Sequence, residues 1–356
     1  MVSNIVHERP GVYSSYDASM VINGSKAAKT VGIAAVAASG TVNKPALLTS
    51  YAEGISAFGE DAAGVCGMSS LLRALYKNGA SAVYAVAVEM IDGAADYAAA
   101  FAALEEEKID IVICDSAEAD VHALLKQSVE RASGARMERV GVVGAQGKSV
   151  EQLIEHAAAL NSERMVLIAP DVLDENGVRM SGALGAAAAA GIIASMSDAA
   201  TPINGVALSG LTGVSERYND TQIDLLVRGG VTPLEAMGGA VSAVRAVTTR
   251  TMSGEAADAT WRELTTILIV DDVIPGIRDA LKSRFVRTKN NAQSRGAIRS
   301  QIIIELENKL AAEIIDGYGE VTVSADAEDP TVCVCEFSFA VAHGLNRIYL
   351  SAHITI

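Results

Sequence analysis

From Asp96 onward the sequence repeats one pattern, and that pattern leaves few folds open. Helical periodicity over 96–107 gives way to a short apolar run over 109–114. A helix over 120–133, a strand over 140–143, a helix over 149–161 and a strand over 165–169 follow. Short apolar runs belong to strands buried on both faces, and the helices between them are the crossovers a parallel sheet needs. The expected fold class is α/β, a doubly wound and mostly parallel sheet core. Ahead of Asp96, the same reading gives a strand over 30–37, a loop over 40–45, a helix over 68–78 closed by Asn78-Gly79, and a strand over 83–88.

Residues 182–196 form a small-residue run read as a tightly packed helix, and a helix over 221–228 turns back into the sheet through Gly229-Gly230-Val231. After Gly254 the character changes to a smaller α+β module. Its expected parts are a polar-then-apolar segment over 261–272, a helix over 274–288, and a helix over 294–315 closed by Gly317, with Ile298, Ile302, Leu306, Leu310 and Ile314 every four residues. Two strands finish the chain. Cys333, Cys335, Phe337, Phe339 and Val341 share one face of the first; Ile348, Leu350, Ala352, Ile354 and Ile356 share one face of the second.

The first 22 residues carry Pro10-Gly11 and then Val12, Tyr13, Tyr16 and Val21 without a helical repeat, as an extended arm would. The expected organisation is an N-terminal arm over 1–22, an α/β core over 23–254, an α+β module over 255–344 and a terminal strand over 345–356.

A net charge of −15 argues against a general nucleic-acid binder, which needs clustered Lys and Arg against phosphates. Partners are expected to be proteins. No run of 18 apolar residues occurs, so no membrane insertion is expected, and four cysteines with no opening signal segment fit folding in a reducing cytoplasm.

Catalytic and binding signals are weak. The stretch from Gly141 to Ser149 follows a strand and opens a helix, as a phosphate-binding loop does, but Val142 stands where that motif needs Gly; Ser149 reads better as a helix cap. Of five histidines, His122 and His156 fall within helices, His7 and His353 in the arms and His343 near the last turn, so no Ser-His-Asp arrangement emerges. Cys333-x-Cys335 lacks further metal ligands, and Glu105-Glu106-Glu107 reads as a solvated helix end. No catalytic residue, metal or cofactor is expected.

An apolar strand running to the last residue needs a pairing partner, because an unpaired edge of that kind aggregates. It either completes the chain's own sheet or augments a neighbour's, and non-reciprocal joints of the second kind give rings or helical polymers.

Glu8-Arg9-Pro10-Gly11-Val12-Tyr13 resembles the N-terminal signature of contractile phage tail sheath proteins. Further similarities follow in order: Leu75-Tyr76-Lys77-Asn78-Gly79, residues 165–171, Pro202-Ile203-Asn204-Gly205, Arg245-Ala246-Val247-Thr248-Thr249, Trp261-Arg262-Glu263-Leu264, Asp271-Asp272-Val273, and Ile277-Arg278 with Leu281 and Phe285. The resemblance implies a structural subunit in stacked hexameric rings around an inner tube, contracting to drive the tube through a target envelope. It implies arms that hook neighbouring subunits by strand exchange, here Val12, Tyr13, Tyr16, Val21, Ile348, Leu350, Ile354 and Ile356. The implied partners are further copies of the chain, an inner tail tube protein, and baseplate and terminator proteins, assembled in the bacterial cytoplasm and released in a virion or phage-tail-like bacteriocin particle. The chain is short for the family and is expected to be a minimal sheath.

Between Arg278 and Arg299 lie seven basic residues against the single acid Asp279. Either this is a solvated surface balancing acidic neighbours, or Arg278, Lys282, Arg284, Arg287 and Lys289 face an acidic inner tube. The competing functional class is an α/β enzyme or ligand-binding protein using the crevice at the strand ends, where Asp115 and Asp171 are candidates.

Overall fold

A computed structural model describes residues 29–285 and 287–346 of the chain. An eight-stranded sheet forms its centre, from β1 (Val31–Ala35), β2 (Ala46–Leu48), β3 (Val83–Ala87), β4 (Ile111–Cys114), β5 (Val140–Gly144), β6 (Met165–Ala169), β7 (Val231–Met237) and β8 (Ala240–Ala243). The spatial order is β8-β7-β6-β5-β4-β1-β3-β2. The six inner strands are parallel, and β2 and β8 close the edges antiparallel. The α/β class and the doubly wound sheet expected from the alternation are what the chain adopts.

The helices are α1 (Tyr51–Phe58), α2 (Met68–Lys77), α3 (Tyr97–Glu105), α4 (Ala119–Gly134), α5 (Val150–Leu160), α6 (Gly182–Ser195), α7 (Asp220–Arg228), α8 (Leu264–Phe285) and α9 (Ala292–Ala311). Two apolar layers result. One face of the sheet packs against α3, α4 and α5 through residues such as Val86, Phe101, Val112, Leu125 and Leu153. The opposite face packs against α2, α6 and α8, and this second core runs on into the C-terminal module through Ile302, Leu306, Ile315 and Phe339.

Helix α6 explains the abundance of Ala and Gly. Twelve of its 14 residues are buried, so small side chains are what let it lie between the sheet and α2. A Cβ placed on Gly144 would sit 1.9 Å from the carbonyl carbon of Gly182, and one on Gly191 would sit 2.7 Å from the backbone oxygen of Leu75. Only glycine permits those approaches.

Three expectations from the sequence change. The break expected between residues 272 and 274 does not occur: α8 is one helix of 22 residues with Pro275 inside it. Proline costs a helix interior about 3 kcal/mol. Burial of Val270, Val273, Ile274, Ile277 and Leu281 against the core, at ~1.5–3 kcal/mol for each fully buried large apolar side chain, outweighs that cost. Helix α9 ends at Ala311, and Gly317 lies inside a strand, Ile315–Tyr318 (β9), rather than closing the helix.

The strand expected to run from Cys333 to Val341 is two. Cys333–Glu336 (β11) pairs with Thr322–Ala325 (β10), whereas Phe339–Val341 (β12) pairs with β9. Phe337 and Phe339 stack at the switch, with centroids 5.9 Å apart. Strand β2 and helix α1 fill a stretch in which periodicity had marked no element.

Candidate interaction surface and the strand-end crevice

In a doubly wound sheet, ligands bind beyond the carboxyl ends of the strands where the winding reverses. Here the chain winds from β1 to β3 on one side and from β4 outward on the other, so that point lies between β1 and β4. It is occupied by the chain itself. Asp115, the residue after β4, accepts a hydrogen bond from the Val36 amide beyond β1 at 2.9 Å and another from the Tyr97 hydroxyl at 2.6 Å. Burial pushes its carboxyl up to about 6, against the lowering effect of those two donors.

The N-terminus of α2, where an anion would sit on helix amides, is filled as well. Asp61 accepts from the amides of Gly67, Ser69 and Ser70 at 3.1, 3.2 and 2.8 Å. Asp171, the other strand-end candidate, is buried and pairs with Arg179 at 2.7 Å. At the loop resembling a phosphate cradle, Ser149 caps α5 in a reciprocal box with Gln152, as its sequence position implied. The strand ends therefore hold internal ties. One open groove of about 280 Å³ lies along α2, and its rim charges Lys77 and Glu175 pair with each other.

A feature that sequence reasoning missed lies beside this edge. The rings of His122 on α4 and His156 on α5 stack at 4.9 Å between centroids, with Nδ1 of the first 3.1 Å from Nε2 of the second. Helical spacing showed each histidine on its own helix but not that the two helices meet there. Glu105, expected to be merely solvated, ties α3 to α4 through Ser128 at 2.7 Å and Arg131 at 2.6 Å.

The basic segment divides. Arg278 is buried: its guanidinium grips Glu138 with two bonds of 2.6 and 3.2 Å. Arg164 holds Asp271 at 2.7 and 2.9 Å, and Lys309 reaches Asp272 at 3.3 Å. The first two ion pairs fasten α8 to the sheet's amino edge, and the third ties α9 to α8. Lys282 and Arg284 in the last turn of α8, with Arg287 and Lys289 in the loop that follows, are exposed and lie close along the chain. Arg284 bonds Gln301, Arg295 bonds Asn290 and Arg299 bonds the Val321 carbonyl. The strand-exchange residues Val12, Tyr13, Tyr16, Val21, Ile348, Leu350, Ile354 and Ile356 lie outside the described residues.

Among the described residues, the strand ends are tied by the chain's own side chains. Residues 92–249 match the phage tail sheath protein central domain, and residues 256–355 match the phage tail sheath C-terminal domain. The chain belongs to the phage tail sheath family. It is 29% identical over 251 residues to the tail sheath protein of Bacillus phage SP01, covering 68% of this chain and 42% of that protein, so it spans about two-fifths of that relative's length. Its fold is similar to the sheath tail protein of Desulfitobacterium hafniense (TM-score 0.70, 13% identity, 93% of this chain and 100% of that one). It is similar also to the helical sheath of the anti-feeding prophage in its contracted state (TM-score 0.72, 16% identity, 98% and 99%).

Proposed function

We propose that the chain is the repeating subunit of a contractile sheath, polymerised as stacked hexameric rings around an inner tube and contracting to drive that tube through a target cell envelope. The observation that carries this reading is the match of residues 92–249 and 256–355, in order, to the central and C-terminal domains of tail sheath proteins. The arm over 1–22 and the strand over 345–356 link neighbouring copies, with a core over 23–254 and a module over 255–344 between them. Baseplate and terminator proteins bound the polymer, which forms in the bacterial cytoplasm and leaves in a virion or bacteriocin-like particle.

The tube-facing contact is Lys282, Arg284, Arg287 and Lys289, all exposed. Arg278 is left out of it, because its charge is committed to Glu138 inside the subunit. Each exposed ion pair is worth about 1 kcal/mol or less, so single contacts break readily while their repetition around the tube holds. Co-sedimentation with the cognate tube at physiological salt tests this. Charge reversal at Lys282, Arg284 and Arg287 should release the tube while leaving the fold intact; undiminished co-sedimentation would remove the contact from the account.

A further inference from the structure

Four groups beside the carboxyl ends of β4 and β5 form one line of hydrogen bonds. Lys148 Nζ lies 3.0 Å from His156 Nδ1, His156 Nε2 lies 3.1 Å from His122 Nδ1, and His122 Nε2 lies 2.9 Å from the Ser116 carbonyl oxygen. The two ends fix every proton between them. A carbonyl only accepts, so His122 carries its proton on Nε2; a lysine ammonium only donates, so His156 Nδ1 is bare and its Nε2 carries the proton. Both rings are neutral, and every ring nitrogen is satisfied.

This arrangement has no place for another proton. Protonating His156 at Nδ1 sets an N–H against the Lys148 ammonium and a second positive charge about 3 Å from the first. Protonating His122 at Nδ1 sets two N–H groups against each other. His122 is fully buried and His156 nearly so, which denies either charge the help of water. The charged or titratable groups facing the pair are Lys148 from the β5–α5 loop and, from the end of β4, Cys114, whose Sγ shares the Ser116 carbonyl at 3.8 Å. Asp115 is turned away toward Val36 and Tyr97, and neither ring bonds a carboxylate.

We propose that the Lys148–His156–His122–Ser116 line is a proton-sensitive fastening that joins α4, α5 and the two strand-end loops at neutral pH and lets that layer come away from the sheet in acid. Burial and the nearby ammonium hold both imidazoles well below their usual range, His122 at about 3 and His156 at about 4. An open form whose histidines titrate near 6.5 therefore gains on the closed form as pH falls below that value. Among the described residues, the helices on the opposite face of the sheet, α2, α6 and α8, carry no histidine, and that face stays closed.

Hydrogen exchange read by mass spectrometry on the full chain tests the proposal, at about pH 7 and about pH 4.5 with intrinsic rates corrected. Peptides from α4 and α5 in the wild-type chain should lose protection by at least ~10-fold more than peptides from β6 and α6, since each histidine can contribute up to ~10-fold per pH unit below 6.5. His156→Gln keeps a donor toward His122 and an acceptor toward Lys148 without titrating, and should shrink that difference. Equal loss across both faces, or the same loss in wild type and variant, would overturn the proposal. Should the variant fail to fold, nitrogen-15 shifts of the wild-type imidazoles decide: neutral rings with protonated Nε2 down to about pH 5 support it, and imidazolium signals from either ring by about pH 6 refute it.

Discussion

Glu138 and Arg278 stand 140 residues apart in the chain and meet as a two-pronged buried ion pair, 2.6 Å at its shorter contact. The first leads into β5 and the second lies on α8, so this pair and Arg164–Asp271 bind the C-terminal module to the sheet. Removing one partner of a buried pair strands the other charge. Arg278→Ala should therefore cost about 3–5 kcal/mol in urea unfolding, whereas the joint change E138L/R278M should recover most of that loss. Equal costs for the single and double variants would show that the pair is not the joint.

The glycines at the β5–α6 contact yield a sharper contrast. Gly144→Ala forces backbone against backbone, with no rotamer to relieve it, and should cost at least the ~1–3 kcal/mol of an overpacked core. Gly134→Ala, in α4 with no atom within 4 Å of its added Cβ, should be neutral or stabilising by up to ~1 kcal/mol. Melting temperatures of the two variants provide the comparison.

Asp115 carries a pH signature opposite in sign to that of the histidines. Its carboxyl titrates at about 6 in the fold, above the ordinary value of 3.8, so the folded state binds the proton more tightly than the unfolded one. The stability this contributes is complete below about pH 3.8 and is lost as pH rises through about 6. Asp115→Asn can still accept from Val36 and donate to Tyr97, and should abolish that slope. The difference in unfolding free energy between wild type and variant, followed from pH 4 to pH 7, should move in the variant's favour; a flat difference contradicts the assignment.

Much of this architecture was legible in the sequence because period and composition report burial directly. The runs at 109–114, 140–143 and 165–169 are three of the six inner strands, and Ser149 caps α5 as its position implied. The continuity of α8 was not legible, because the tertiary burial that carries the helix through Pro275 is not visible in a sequence. The Cys333 to Val341 run misled for a related reason, since alternation records which face is apolar but not where a strand changes partner. The fate of Arg278 could not be read either: a charge run on a helix shows its composition, and only the distant Glu138 decides which member turns inward.

The central claim is that the chain polymerises through its ends, and negative-stain electron microscopy of the purified chain at rising concentration tests it most directly, beside a variant lacking residues 348–356. Hollow, striated cylinders from the intact chain and none from the truncated one are the result expected of a sheath joined by exchanged strands. Ordered cylinders from both would contradict the linking role of the terminal strand, and dispersed monomers from both would contradict the sheath assembly itself.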